Sequence, residues 1–186
     1  MIYSEETLRK FIDGRPSGKD YPYNNGTSKQ IEFHIKSIVA DLERSNLIKV
    51  EADFKSYGSG YSSYIDIFCY KKDGSSTIKK KDVLWIDGIT IYISKLAPVA
   101  IYGASNKTKH SKGGGYNFLD ANNINSIPKG NWDDVLYTIT NKLKKYEIEM
   151  LRKRELAKPL DFKAKIPTIL NDGGYKIFDA IFYWED

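Results

Sequence analysis

The sequence predicts an α+β domain in which an antiparallel meander sheet of about 5–6 strands carries two main amphipathic helices on one face. Two stretches repeat apolar residues at helical spacing: Ile31, Ile35, Ile38, Val39 and Leu42, and Trp132, Leu136, Ile139, Leu143, Tyr146 and Met150. A helix that buries one side needs such a stripe. Between them lie alternating β-branched and aromatic segments punctuated by Gly and Pro, the pattern of a meander. Residues 1–186 are expected to form a single domain, because a chain of 186 residues with 41% hydrophobic and 28% charged content matches one ordinary globular unit.

Residues 1–26 open with a short helical possibility over 5–12. They continue into a stretch rich in Gly and Pro that reads as an N-terminal loop or extended arm. The first strong helix begins at Thr27 or Ser28, where Thr27 and Gln30 have the spacing of a capping box. Strands are expected over 47–54 and 61–72. In the second, Ile65, Ile67 and Cys69 face one way, and Tyr64, Asp66, Phe68 and Tyr70 the other. Asp73-Gly74 suggests a hairpin. The next strand, 83–93, is interrupted by Asp87-Gly88, read as a bulge; another strand covers 99–102.

Residues 103–130 hold five glycines and no apolar period, which predicts a long Gly/Lys-rich loop. The second strong helix starts at Asn131, an N-cap residue followed by Asp133 and Asp134 in the first turn, and runs on to Pro159. Two final strands, 162–170 and 175–184, flank a turn at 171–174.

Charge and cysteine content narrow the function classes. The net charge is +5 with a pI near 9.0. The basic excess concentrates in the expected loop, with four lysines against one aspartate in 103–129, whereas the last 26 residues are acidic. One cysteine, Cys69, permits no internal disulfide, and no 18-residue apolar run is present. A cytoplasmic location and no membrane contact are therefore expected. The two histidines and single cysteine fall short of a Cys/His zinc site, and no P-loop or Gly-x-Ser-x-Gly elbow occurs. No cofactor is expected.

The leading candidate binding residues are Lys107, Lys109, His110, Lys112, Gly113, Gly114, Gly115 and Tyr116. Lysines beside a triple glycine let backbone amides approach an anion while ammonium groups neutralise it. Trp184, in the acidic aromatic terminus Tyr183-Trp184-Glu185-Asp186, is a second candidate, because Trp and Tyr favour interface centres. Lysines 71–72 and 79–81 bracket the expected hairpin, where they guard strand edges or, with Tyr64 and Tyr70, contact nucleic acid.

The order of helix, strands, helix and strand resembles a restriction-endonuclease-like core. The tripeptide Asp53-Phe54-Lys55 has the acidic-x-Lys form of such enzymes, with Asp66 as second carboxylate, but the order is inverted. The function expected from these features is a non-enzymatic macromolecule-binding domain with another protein as partner. A bacterial accessory protein of the immunity type, one that neutralises a toxin, is the concrete form. A nucleic-acid-binding module using the lysines is the first alternative, and a metal-dependent nuclease using Asp53, Lys55 and Asp66 the second.

Overall fold

The computed structural model describes residues 3–171 and 173–185. Asp172, in the expected turn at 171–174, and Asp186, in the acidic terminus, lie outside the described residues. The elements in chain order are α1 (Glu5–Ile12), α2 (Ser28–Glu43), β1 (Ile48–Asp53), β2 (Tyr61–Ser62), β3 (Tyr64–Lys71), β4 (Thr77–Lys80), β5 (Val83–Ser94), β6 (Val99–His110), β7 (Gly113–Tyr116), α3 (Asp133–Lys145), β8 (Glu149–Met150), α4 (Lys153–Leu156), α5 (Ile177–Ile181) and β9 (Trp184–Glu185). The fold is α+β. Its main sheet runs β1-β3-β5-β6-β7, with β4 antiparallel to β5 and the short β8 parallel to β6.

Both striped helices pack on one face. The Thr27 hydroxyl accepts the Gln30 N–H, and the Gln30 side chain accepts the Thr27 N–H, closing the capping box of α2. Ile31, Ile35, Ile38 and Leu42 of α2 meet Val135, Ile139 and Leu143 of α3 over Ile65, Ile67 and Cys69 of β3 and Ile89, Ile91 and Ile93 of β5. Asp41, which the helical stripe alone places on the outer side of α2, instead lies in the seam between the helices and accepts bonds from Lys142 and Lys145. The second helix is shorter than its pattern predicts. It starts at Asp133, whose N–H the Asn131 side chain accepts, and it ends at Lys145. Glu147 then takes a positive φ of 59°, turning the chain into β8.

The opposite face is covered by the two ends of the chain, where the sequence predicts an arm and two strands. Leu8 and Phe11 of α1, Ile177, Phe178 and Ile181 of α5, and Phe182 and Tyr183 close over Tyr64, Tyr92, Val99 and Ile101. The short helix expected over 5–12 is present as α1 and packs here. Residues 13–26 of the expected arm form no helix or strand, and Tyr23 among them is buried in the core beneath α2 and α3, its hydroxyl donating to the Ser94 carbonyl. Of the two expected terminal strands, 162–170 has no regular structure and half of 175–184 is α5. Only Trp184–Glu185 pairs as a strand, with β2. The Asp179 carboxylate accepts the Lys176 N–H at 2.7 Å, which starts a helix inside an aromatic run that resembles a strand.

Three further expectations are corrected by register. β3 and β4 both run antiparallel to β5, so Asp73-Gly74 belongs to an excursion from an interrupted strand. The hairpin turn is Lys81-Asp82, with Lys81 at φ 52°. β5 pairs with β6 without a slip from Leu84↔Lys109 to Ile93↔Ala100, so no bulge sits at Asp87-Gly88. Gly88 is instead required by packing: a Cβ there would lie 2.5 Å from the Phe68 ring and 2.6 Å from the Cys69 carbonyl. Gly88→Ala should therefore lower stability by about 1–3 kcal/mol, read as a lower urea midpoint. An unchanged midpoint would contradict this account of the glycine.

The long loop expected over 103–130 is the third. Its first part is the second half of β6 plus β7, paired from Lys107↔Tyr116 to His110↔Gly113. Its second part carries Leu119, Ala121 and Ile124 into the core. Glycine-rich sequence carries no strand signal of its own; here the long β5–β6 register extends the sheet outward and β7 follows it.

Candidate functional site

On the face that carries the chain ends, the covering segments pack over Tyr64 and Tyr92. Beyond these residues the same face carries Glu51, Asp66, Phe68, Lys107 and Lys109, and here a cleft of about 600 Å³ opens. It is lined by Glu51, Asp53, Lys55, Tyr57, Asp66, Lys107 and Tyr116, among others. Strand register explains the gathering. Asp53 of β1 faces Asp66 of β3 as a direct cross-strand partner, and Lys107 of β6 sits beside Tyr116 of β7.

Asp66 is the centre of this arrangement. It is 4% exposed, and hydroxyl groups reach it from two sides. Tyr57 Oη donates to Oδ2 at 2.7 Å, and Tyr116 Oη approaches Oδ1 and Oδ2 at 2.6 and 2.7 Å. A phenol has one proton, so Thr90 Oγ1, 2.9 Å from Tyr116 Oη, acts as donor to that oxygen. Burial pushes the Asp66 carboxyl up to about 6, against the opposing pull of the Tyr116 and Tyr57 hydroxyls and of Lys107. Burial, reinforced by the Asp66 charge, also drives the Tyr57 and Tyr116 phenols far above their ordinary value.

Tyr57 reaches Asp66 because the backbone before it is held in an unusual shape. Ser56 and Tyr57 take φ values of 49° and 59°, a left-handed conformation uncommon for side-chain-bearing residues. The Asp53 carboxylate accepts the N–H groups of Lys55 and Tyr57, at 2.6 and 3.1 Å, and ties this turn to β1. The Tyr57 ring also packs against Trp184 (centroids 4.6 Å) and Phe118 (5.0 Å).

Glu51 holds the other wall. It accepts Lys107 Nζ at 3.4 Å and Lys109 Nζ more closely. Burial works to raise the Glu51 carboxyl, but the two lysines outweigh it and hold it below its ordinary value. The Lys107 ammonium lies over the Phe68 and Tyr116 rings, 4.7 and 4.6 Å from their centroids.

The residues singled out by sequence are thus only partly brought together. Lys107, Tyr116, Asp53, Lys55 and Asp66 line one cleft, and Lys109 reaches it through Glu51. Trp184 joins at the margin through Tyr57. His110, Lys112, Gly113, Gly114 and Gly115 form the exposed tip of the β6–β7 hairpin, where His110 Nδ1 accepts the Lys112 N–H. Sequence reading missed Glu51, Tyr57 and Thr90. Only Glu51 left a signal, a charged residue alternating with Lys49 and Asp53 on an expected strand.

Among the described residues, no group of three or more His, Cys, Asp or Glu is placed to hold a metal ion. No buried side-chain nitrogen or oxygen there lacks a hydrogen-bond partner, and no helix is long and apolar enough to cross a membrane. The sequence matches no family model, no curated protein and no solved structure.

Proposed function

We propose that the chain is a binding domain that engages another protein, of the kind that neutralises a toxin or other effector, and that the cleft around Asp66 with the adjoining β6–β7 hairpin is the engaging surface. The observation that carries this reading is the state of the cleft's carboxylates. Asp66 is held by two tyrosine hydroxyls, Asp53 by turn amides and Glu51 by two lysines. Groups so engaged form a rigid, pre-shaped wall, and pre-organisation favours recognition because little is left to order on binding. The aromatic rings of Tyr57, Phe118 and Trp184 beside it supply the amphipathic area that interface centres favour.

A photo-crosslinking amino acid in place of Lys55, at the cleft, tests the reading against one in place of Tyr137, exposed on α3. In the source cell the position at Lys55 should capture one stoichiometric protein, and that at Tyr137 should not. Capture from neither position, or equal capture from both, would refute the assignment.

A second reading has its own support. Register places the β4–β5 turn, with Lys79, Lys80 and Lys81, at the same end of the sheet as Lys109 and Lys112, and Asp53, Lys55 and Asp66 share the cleft. In this reading the ribbon binds nucleic acid, and its mark would be oligonucleotide affinity falling steeply with salt. Cutting by the cleft, with Asp53, Lys55 and Asp66 around a divalent cation, is the separate nuclease reading, whose mark would be Mg²⁺- or Mn²⁺-dependent plasmid cleavage lost in Asp66→Ala.

A further inference from the structure

Four strands of the main sheet have a single partner, β1, β4, β7 and the two-residue β8, and the protein treats the three longer edges differently. β1 carries Lys49, Glu51 and Asp53 at alternate positions, and β4 carries Lys79 and Lys80. Charges of this kind keep an edge from pairing with other chains. β7 ends the path of the main sheet and carries no charge: it reads Gly113-Gly114-Gly115-Tyr116, and its three glycines are exposed. Antiparallel pairing turns only every second residue's N–H and C=O toward β6, so the outer edge of β7 offers the rest.

Two of the three glycines are demanded by the hairpin itself. Gly113 has φ +133°, and a Cβ on Gly114 would lie 2.1 Å from the Thr108 carbonyl oxygen. Gly115 is under a weaker demand. Its φ is not in the left-handed range, and a Cβ there would crowd the Thr108 hydroxyl at 3.1 Å, an oxygen that also accepts the Gly115 N–H at 2.8 Å. No side chain on Gly115 stands over this stretch of edge, which leaves room for another backbone to come close. The basic charges near this edge are Lys107, Lys109 and Lys112 of the same hairpin, the first two partly offset by Glu51 across the sheet.

We propose that β7 is the seat for an added strand: an extended, acidic segment of the partner pairs along the outer edge of Gly113–Tyr116 and continues the sheet. Main-chain hydrogen bonds hold the incoming strand, and the lysines select its charge. This inference rests on the protein-partner reading and specifies how the partner is held.

The test uses the full chain and a synthetic peptide of alternating valine and glutamate, with a valine–lysine peptide as control. Amide hydrogen exchange at residues 113–116 should slow with the glutamate peptide and stay unchanged with the lysine peptide. Lys112→Glu, in the exposed turn, should weaken binding by about threefold to tenfold. Gly115→Glu, which installs a guard like those of β1 and β4, should weaken it by more, with exchange elsewhere in the sheet serving as the folding control. Unchanged exchange at 113–116, or equal protection by both peptides, would overturn the proposal. Capture through position 55 alongside such a result would leave the protein-partner reading standing and strand addition alone rejected.

Discussion

Truncating the chain after Gly174 should abolish cooperative unfolding altogether. The lost segment contributes Ile177, Phe178, Ile181, Phe182 and Tyr183 to the core that closes over Tyr64 and Tyr92. Five such side chains at about 2 kcal/mol each amount to about 10 kcal/mol, comparable with the whole stability of a domain of this size. Polar ties go with them. The Tyr183 hydroxyl donates to the Phe11 carbonyl at 3.0 Å, and Ser63 Oγ bridges Ile181 O and Tyr183 N. Phe182→Ala should keep the fold and lower stability by about 3–5 kcal/mol. Circular dichroism with urea titration measures both, and a truncated chain that unfolds with the full-length midpoint would refute this account of the face.

Asp66→Asn should change the pH dependence of stability more than any other isosteric substitution in the cleft. The carboxyl stands at 3.8 ordinarily and about 6 in the fold, so the protonated form is the one the fold favours. Its contribution is fully present below about pH 4 and is lost as pH rises through about 6. That gap corresponds to about 3 kcal/mol at neutral pH. Asparagine keeps the shape and carries no charge at any pH. The variant should therefore gain on the native chain by about that amount between pH 4 and 7, while the two differ little in their slopes above pH 7. Parallel stability curves across the whole range would show that the ionised carboxylate is well accommodated by Tyr57 and Tyr116, and that burial is not the dominant influence.

Much of the first face was legible because local signals and packing agree there. Thr27 and Gln30 announce the start of α2, its apolar stripe is the one buried, and the alternation of β3 sorts Ile65 and Ile67 from Tyr64 and Asp66 as found. The second face was not legible, because its cover comes from chain ends whose residues suggest something else. Residues 175–184 have the aromatic content of a strand, and a single carboxylate, Asp179, starts a helix among them. The candidate site was legible only in pieces. Asp53-Phe54-Lys55 and the lysines after residue 106 stand far apart in sequence. They meet because of the Asp53↔Asp66 register and because Lys107 reaches across Phe68 to Glu51. No window of the sequence contains that geometry. The glycine run misled for a related reason, since pairing imposed by β6 makes it a strand despite its composition.

The position of Cys69 gives the molecule a built-in clock. Its sulfur is inaccessible between the sheet and the two long helices, and burial holds the thiol up to about 12, so alkylating reagents meet a protonated, shielded target. Labelling can then proceed only through excursions that part the helices from β3. With no second thiol in the chain, the rate of a single mass increment reports how often that layer comes open, and a partner that clamps the opposite side of the sheet would be seen to slow it without touching the sulfur.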